Sequence, residues 1–218
     1  MNEKIVICLP GDNFSGRFLD CLLDLMYNFM QSGVSIRVSR RESPIVYYAR
    51  NMCLGADIIR GEYQKPFDGK LDYTHLLWLD SDIIFGYEHV QSLLKHNKDI
   101  VSGIYMMSNN MHFATVKKID NENFLKNQGS YDFLTLEDIK SEKDLIDVSY
   151  TGFGFILIKK GVFESITYPW FRPIFHKIGN CYDFASEDAS VCELFRDKGF
   201  KIWVDPTIRV GHEKKIVL

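Results

Sequence analysis

The sequence predicts a single-domain α/β fold, with a mixed, mostly parallel central sheet flanked by helices, and three observations carry that prediction. Short apolar runs alternate with stretches of helical periodicity through the first half of the chain. The connecting helices are too long for hairpins, so the strands they join are parallel and linked by right-handed crossovers. At 218 residues, 46% of them apolar, the chain can bury one such core as a single unit.

Residues 4–9, Lys-Ile-Val-Ile-Cys-Leu, form an apolar run closed by Pro10-Gly11 and read as a buried first strand. From 15 to 33, Phe18, Cys21, Leu22, Leu25, Met26, Phe29 and Met30 keep helical spacing, with Ser15 as N-cap and Gly33 as the stop. Residues 34–39 read as a second strand, and Ser43-Pro44 as the N-cap and first turn of a helix to about residue 54. The third strand, 73–79, ends in the fully apolar Leu76-Leu-Trp-Leu79. A helix over 87–96 and a strand over 99–103 close the first half, 1–104. In the other half, 105–218, residues 112–117 and 147–158 read as strands and 121–143 as a polar, loop-rich stretch. A helix over 187–198, stopped by Gly199, precedes late strands at 201–205 and 207–211. No repeat or linker divides the chain.

Twenty-six basic residues against 29 acidic ones, net −3 with no basic run, give no electrostatic reason to expect nucleic acid as the partner. A small ligand is expected instead. The five scattered cysteines include no Cys-x-x-Cys pair, so they predict neither a disulfide framework nor a zinc site, but reduced core thiols in a cytoplasmic protein. The opening run is too short for a signal peptide, and no segment approaches the roughly 18 apolar residues of a membrane span.

Two phosphate-binding patterns fail on their chemistry. Gly11-Asp-Asn-Phe-Ser-Gly16 spaces its glycines like a P-loop, but Arg17 and Phe18 stand where the lysine and the magnesium-binding hydroxyl belong. Gly152-Phe-Gly154 lacks the third glycine of a dinucleotide fingerprint. The unusual feature is Asp80-Ser-Asp82, directly after the third strand. In extended chain, residues two apart project to the same side, so both carboxylates face one target at the strand's C-terminal end, where open α/β sheets bind ligands. Such a pair suits Mg²⁺ or Mn²⁺; the bland alternative is a turn capped by either aspartate. His212 follows another apolar strand, and Glu187-Asp188 opens a helix, where acids are favoured by the backbone dipole and also suit a general base.

The order of these motifs, Leu76-Leu-Trp-Leu-Asp-Ser-Asp-Ile-Ile, Val101-Ser-Gly-Ile-Tyr, Thr151-Gly-Phe-Gly-Phe, Ser186-Glu-Asp, Gly199-Phe-Lys-Ile-Trp-Val-Asp-Pro and Gly211-His212, resembles the GT-A-fold nucleotide-sugar glycosyltransferases of the Asp-x-Asp type. The likeness spans nearly the whole chain and extends to viral members that build capsid glycans, which would place the protein in the host cytoplasm. It implies a UDP-sugar donor, a glycan acceptor and a divalent cation, with Mn²⁺ favoured over Mg²⁺ by an imidazole ligand. Asp80, Asp82 and His212 would then hold the metal. Leu9, Pro10, Gly11, Arg50, Asn51, Trp78, Ser81, Gly152, Phe153 and Gly154 would bind the nucleotide sugar, with the glycines leaving room for the sugar. Arg40 and Arg41 are further diphosphate candidates. Asp188, with Glu187 second, would act as base if the reaction inverts configuration. Tyr168-Pro-Trp-Phe171 and Tyr182 are candidates for an aromatic wall against an acceptor sugar. The chain reads as one module of a longer protein.

Overall fold

The computed structural model describes residues 3–214. In chain order the elements are β1 (Lys4–Pro10), α1 (Gly16–Gln31), β2 (Ser35–Arg41), α2 (Val46–Cys53), β3 (His75–Leu79), β4 (Ile83–Ile84), α3 (Tyr87–His96), β5 (Ile100–Ile104), β6 (His112–Val116), α4 (Asn121–Lys126), β7 (Phe133–Thr135), β8 (Ile146–Val148), β9 (Tyr150–Thr151), β10 (Phe155–Lys159), β11 (Phe175–Ile178), β12 (Cys181–Phe184), α5 (Glu187–Asp197), β13 (Ile202–Arg209) and β14 (Gly211–His212).

Seven strands form the central sheet in the order β2-β1-β3-β10-β5-β13-β8. Pairings make β2, β1, β3, β5 and β13 run one way, while β10 and β8 run against them. The sheet is buried on both faces because β1 alternates: Ile5, Ile7 and Leu9 pack with Phe18, Leu25 and Phe29 of α1 and with Val90 and Leu93 of α3. Val6 and Cys8 face the other way, toward Cys53 of α2 and Val191, Cys192 and Phe195 of α5. Ser15 caps α1 by accepting from the Phe18 amide, and Phe18 is core, which is why it has no place in a phosphate loop.

Several local expectations differ from what is observed. The α2 helix begins at Val46 with Ile45 as N-cap and no side-chain cap, so Ser43 and Pro44 precede it. The expected strand over 147–158 is three: β8 and β10 join the central sheet, while β9 pairs with β6 in a small sheet, because Gly152–Gly154 turn the chain between them. The two late strands are one, β13, whose register breaks between Val204 and Arg209; Pro206 has no N–H for the ladder there. The polar stretch 121–143 contains α4 and β7, and a β11–β12 hairpin precedes α5 where no strands were expected. Among the cysteines, Cys8, Cys53 and Cys192 are buried, but Cys181 is exposed on that hairpin rather than in the core. No described helix is long and apolar enough to cross a membrane.

Candidate functional site

The parallel strands β1, β3, β5 and β13 end at one edge of the sheet, and the chemistry-bearing residues follow those ends. After β1 comes Gly11, whose φ of +139° favours glycine; its amide bonds Arg41 and its open side lies against Ser81. After β3 comes Asp80, whose amide donates to the Gly154 carbonyl at 3.0 Å, tying the strand end to the start of β10. After β5 come Tyr105 and Met106. After β13 the short β14 pairs with β4, matching His212 with Ile83, and the Glu213 amide donates to the Asp82 carbonyl at 2.7 Å. That small ladder brings His212, 130 residues away in sequence, onto Asp82.

The His212–Asp82 contact has a definite chemical reading. Nδ1 lies 2.6 Å from the Met106 carbonyl oxygen, which only accepts, so Nδ1 carries a proton. Nε2 then faces Asp82 Oδ2 at 3.2 Å, and in the neutral ring it presents a lone pair to a carboxylate. Two acceptors so placed require a cation, either a proton on Nε2 or a metal ion. Burial disfavours the imidazolium, but Asp82 and the Met106 carbonyl outweigh it and raise the His212 pKa above its ordinary value. Burial likewise pushes the Asp82 carboxyl up, yet hydrogen bonds from His212 and Lys214 hold it at about 2. Lys214 Nζ sits 2.6 Å from the same Asp82 oxygen. Beside Asp82 a cavity of about 330 Å³ is lined by Asn13, Phe14, Ser15, Ser81, Glu213 and Lys214, at the N-terminus of α1.

Asp80 is placed differently. Its carboxylate turns to Arg50, whose Nη2 lies 3.0 and 3.1 Å from the two oxygens. Burial raises its pKa, Arg50 opposes the rise and the charge of Asp82 adds to it, leaving it above the ordinary value. Among the described residues no three His, Cys, Asp or Glu side chains converge as a ready metal cage. Asp82 and His212 meet; Asp80 takes the nearest buried cation instead. The donor set, two carboxylates at the end of one strand and an imidazole whose far nitrogen is fixed by a carbonyl, fits a divalent ion that keeps positions for water or phosphate oxygen.

The two acids of α5 divide in the same way. Glu187 receives Arg50 Nε at 3.4 Å, and burial followed by the charge of Asp188 raises its pKa despite that contact. Asp188 accepts from the Tyr150 hydroxyl at 3.1 Å and from the Ala189 amide at 2.9 Å, both neutral donors. Of the nucleotide-sugar candidates, Ser81 lines the cavity and Gly11 lies against Ser81, whereas Leu9 and Pro10 are buried at the end of β1; Arg40 and Arg41 lie exposed at the end of β2, with Arg40 Nη1 donating to the Gly11 carbonyl. Trp78 and Phe153 are fully buried, packed around Arg50. Asn51 is buried and holds Phe171 through both its amide and its carbonyl. Trp170 and Phe171 are core residues, so they form no wall for a sugar; Tyr182 stands exposed on β12, apart from them.

Gly152 and Gly154 make room for Tyr105. A Cβ on Gly152 would fall 2.1 Å from the Tyr105 hydroxyl oxygen, and that oxygen accepts the Gly154 amide at 3.1 Å. The Tyr105 ring in turn stands edge-on to His212, with centroids 5.1 Å apart. Gly152→Ala is therefore expected to destabilise the fold by about 1–3 kcal/mol, the usual cost of overpacking, read from the midpoint of urea unfolding. Tyr105, Tyr150 and Lys214 are site residues that the sequence reading omits. Tyr105 closes the Val101-Ser-Gly-Ile-Tyr motif, and Lys214 lies two residues beyond His212 and so on the same side of an extended chain, whereas Tyr150 carried no signal.

No family model matches the sequence. Among solved structures, A197 from STIV superposes with a TM-score of 0.53 at 15% identity, covering 99% of this chain and 96% of that one. GalNAc-T7, solved with UDP, GalNAc and Mn²⁺, gives 0.51 at 11% identity over 99% of this chain, which spans 44% of that protein. Glucosyl-3-phosphoglycerate synthase from Mycobacterium tuberculosis, in complex with Mn²⁺, UDP and phosphoglyceric acid, gives 0.47 at 10% identity, covering 99% and 72%. At such identities the likeness is one of fold, and the fold observed is the mostly parallel, GT-A-like α/β arrangement that the sequence predicts.

Proposed function

We propose that the chain is a divalent-metal-dependent glycosyltransferase that moves a sugar from a UDP-sugar to a hydroxyl of a glycan acceptor. The observation that carries this reading is the meeting of Asp82 with His212 Nε2 beside a cavity at the C-terminal edge of a parallel sheet. The motif order resembling GT-A glycosyltransferases, and the fold shared with a structure solved with UDP, GalNAc and Mn²⁺, support the donor class.

Asp80, Asp82 and His212 would hold the metal. Bound there, a divalent cation supplies Lewis-acid stabilisation of the diphosphate leaving group. Gly11 and Ser81 would border the nucleotide at the end of β1, and the exposed Arg40 and Arg41 with the first amides of α1 offer positive potential for the phosphates. Gly152 and Gly154 set the position of Tyr105 between β10 and His212, so the space at these glycines holds that ring rather than the donor sugar that the resemblance implies. Asp188, fixed by Tyr150, takes the proton of the attacking hydroxyl if configuration inverts.

The test is calorimetric titration of UDP, with GDP as control, in the presence of Mn²⁺ and then of EDTA. UDP binding that requires Mn²⁺ and is not reproduced by GDP is the expected result; absence of binding under every condition overturns the reading. A pH series sharpens it. Metal binding needs neutral His212, whose pKa is raised, so Mn²⁺ affinity should be full at high pH and fall as pH drops through that raised value. A flat profile between about pH 5.5 and 8.5 removes His212 from the ligand set.

A further inference from the structure

Arg50 lies in α2, distant in sequence from Asp80 and Glu187, and its guanidinium meets both. The side chain is only 4% exposed, against 30% for Asp80 and 13% for Glu187, so the arginine sits beneath the two acids rather than beside a ligand. Trp78, Phe153 and Phe171 surround it, with ring centroids 5.9, 5.6 and 5.8 Å from Cζ. Among the described residues Nη1 has no hydrogen-bond partner. An arginine so buried, with one edge unpaired, is a costly way to fill space; apolar residues of like volume often stabilise as well. What a guanidinium offers and a hydrophobe does not is a rigid fork that fixes two carboxylates relative to one another.

We propose that Arg50 is a positioning residue that couples the two halves of the site, orienting the Asp80 carboxylate for the metal while holding Glu187, and with it the first turn of α5 that carries Asp188. The inference rests on the metal-dependent reading given above. The Asp80 amide is already tied to the Gly154 carbonyl, so its side-chain torsions are what remain to be set, and Arg50 sets them. Carboxylates that ligate metals are commonly oriented in this way by a hydrogen-bonded outer partner. Glu187 adjoins Asp188 in the same turn, so any movement of the Arg50–Glu187 contact is passed to Asp188.

Arg50→Lys keeps the buried charge but replaces the fork with a point charge that serves one acid at a time. It is expected to weaken Mn²⁺ binding, titrated with UDP present, by about 10–100-fold. Glu187→Gln places neither ligand nor charge on the metal. It leaves the whole Arg50 charge on Asp80 and should weaken Mn²⁺ binding about three- to tenfold, an effect that shrinks to less than about twofold in the Arg50→Lys background. Mere packing by Arg50 would lower thermal stability without this coupling. A folded Arg50→Lys protein with parental Mn²⁺ affinity, or a Glu187→Gln effect equal in both backgrounds, overturns the inference. If Arg50→Lys does not fold, Glu187→Gln decides alone, and unchanged Mn²⁺ affinity overturns the proposal. A parent protein that binds no Mn²⁺ with or without UDP overturns instead the metal reading on which the inference stands.

Discussion

Asp82→Ala should leave a folded protein that has lost Mn²⁺-dependent UDP binding by on the order of 100-fold or more, beyond the about 10–100-fold that an outer-shell partner costs. Asp82 is the only one of the two aspartates that faces both His212 and the cavity, so removing it leaves the imidazole without its carboxylate neighbour. The fold should survive because the side chain is 38% exposed and its contacts with His212 and Lys214 lie at the surface. Each such pair contributes about 1 kcal/mol or less, so the two together cost no more than about 2 kcal/mol, a fall of at most about 8 °C in Tm for a chain of this size. Circular dichroism reports the fold and calorimetry the binding. A folded variant whose UDP affinity remains Mn²⁺-dependent and unchanged would sink the assignment of Asp82, and return the Asp-Ser-Asp triplet to the role of a strand-end turn.

The sheet was legible because its strands are buried on both faces and its helices amphipathic. Residues 5–9 and 76–79 have no polar alternative to burial, and Phe18, Leu25 and Phe29 recur at helical spacing on the buried side of α1. Legibility failed where tertiary pairing decides. Nothing local tells β9 to leave the central sheet for β6, and Pro206 divides the late apolar run in sequence although β13 continues through it with a shift of register. The site follows the same division. Asp80, Asp82, Glu187, Asp188 and His212 were visible as residue types at strand ends and a helix start. Their pairing was not: Asp82 meets His212 only through the β4–β14 ladder, and Asp80 and Glu187 meet through Arg50, whose contacts lie 30 and 137 residues away. The resemblance assigns Arg50 to the nucleotide sugar, whereas in the fold three aromatic rings enclose it.

Asp188→Asn is the other substitution with a large expected effect: turnover should fall by about 10²–10⁴-fold, the usual contribution of a general base, while UDP affinity stays within about twofold. The choice between the two acids follows from their partners. Glu187 faces a buried guanidinium, and a carboxylate so paired is held in place rather than presented to an incoming hydroxyl. Asp188 is oriented by the Tyr150 hydroxyl and the Ala189 amide, which fix its position without neutralising it. Asparagine keeps its oxygen for the Ala189 amide and sets an NH2 group, which the Tyr150 oxygen can accept, where Oδ2 stood, so the helix start and the fold should be preserved while the basicity is lost. The assay is release of UDP from whichever UDP-sugar binds, followed with acceptor present and absent. Loss of turnover in Glu187→Gln with full activity in Asp188→Asn would exchange the two roles. Full activity in both would place the chemistry outside α5 and favour retention of configuration, because only the inverting route requires a base to take the acceptor proton on the face opposite the leaving diphosphate.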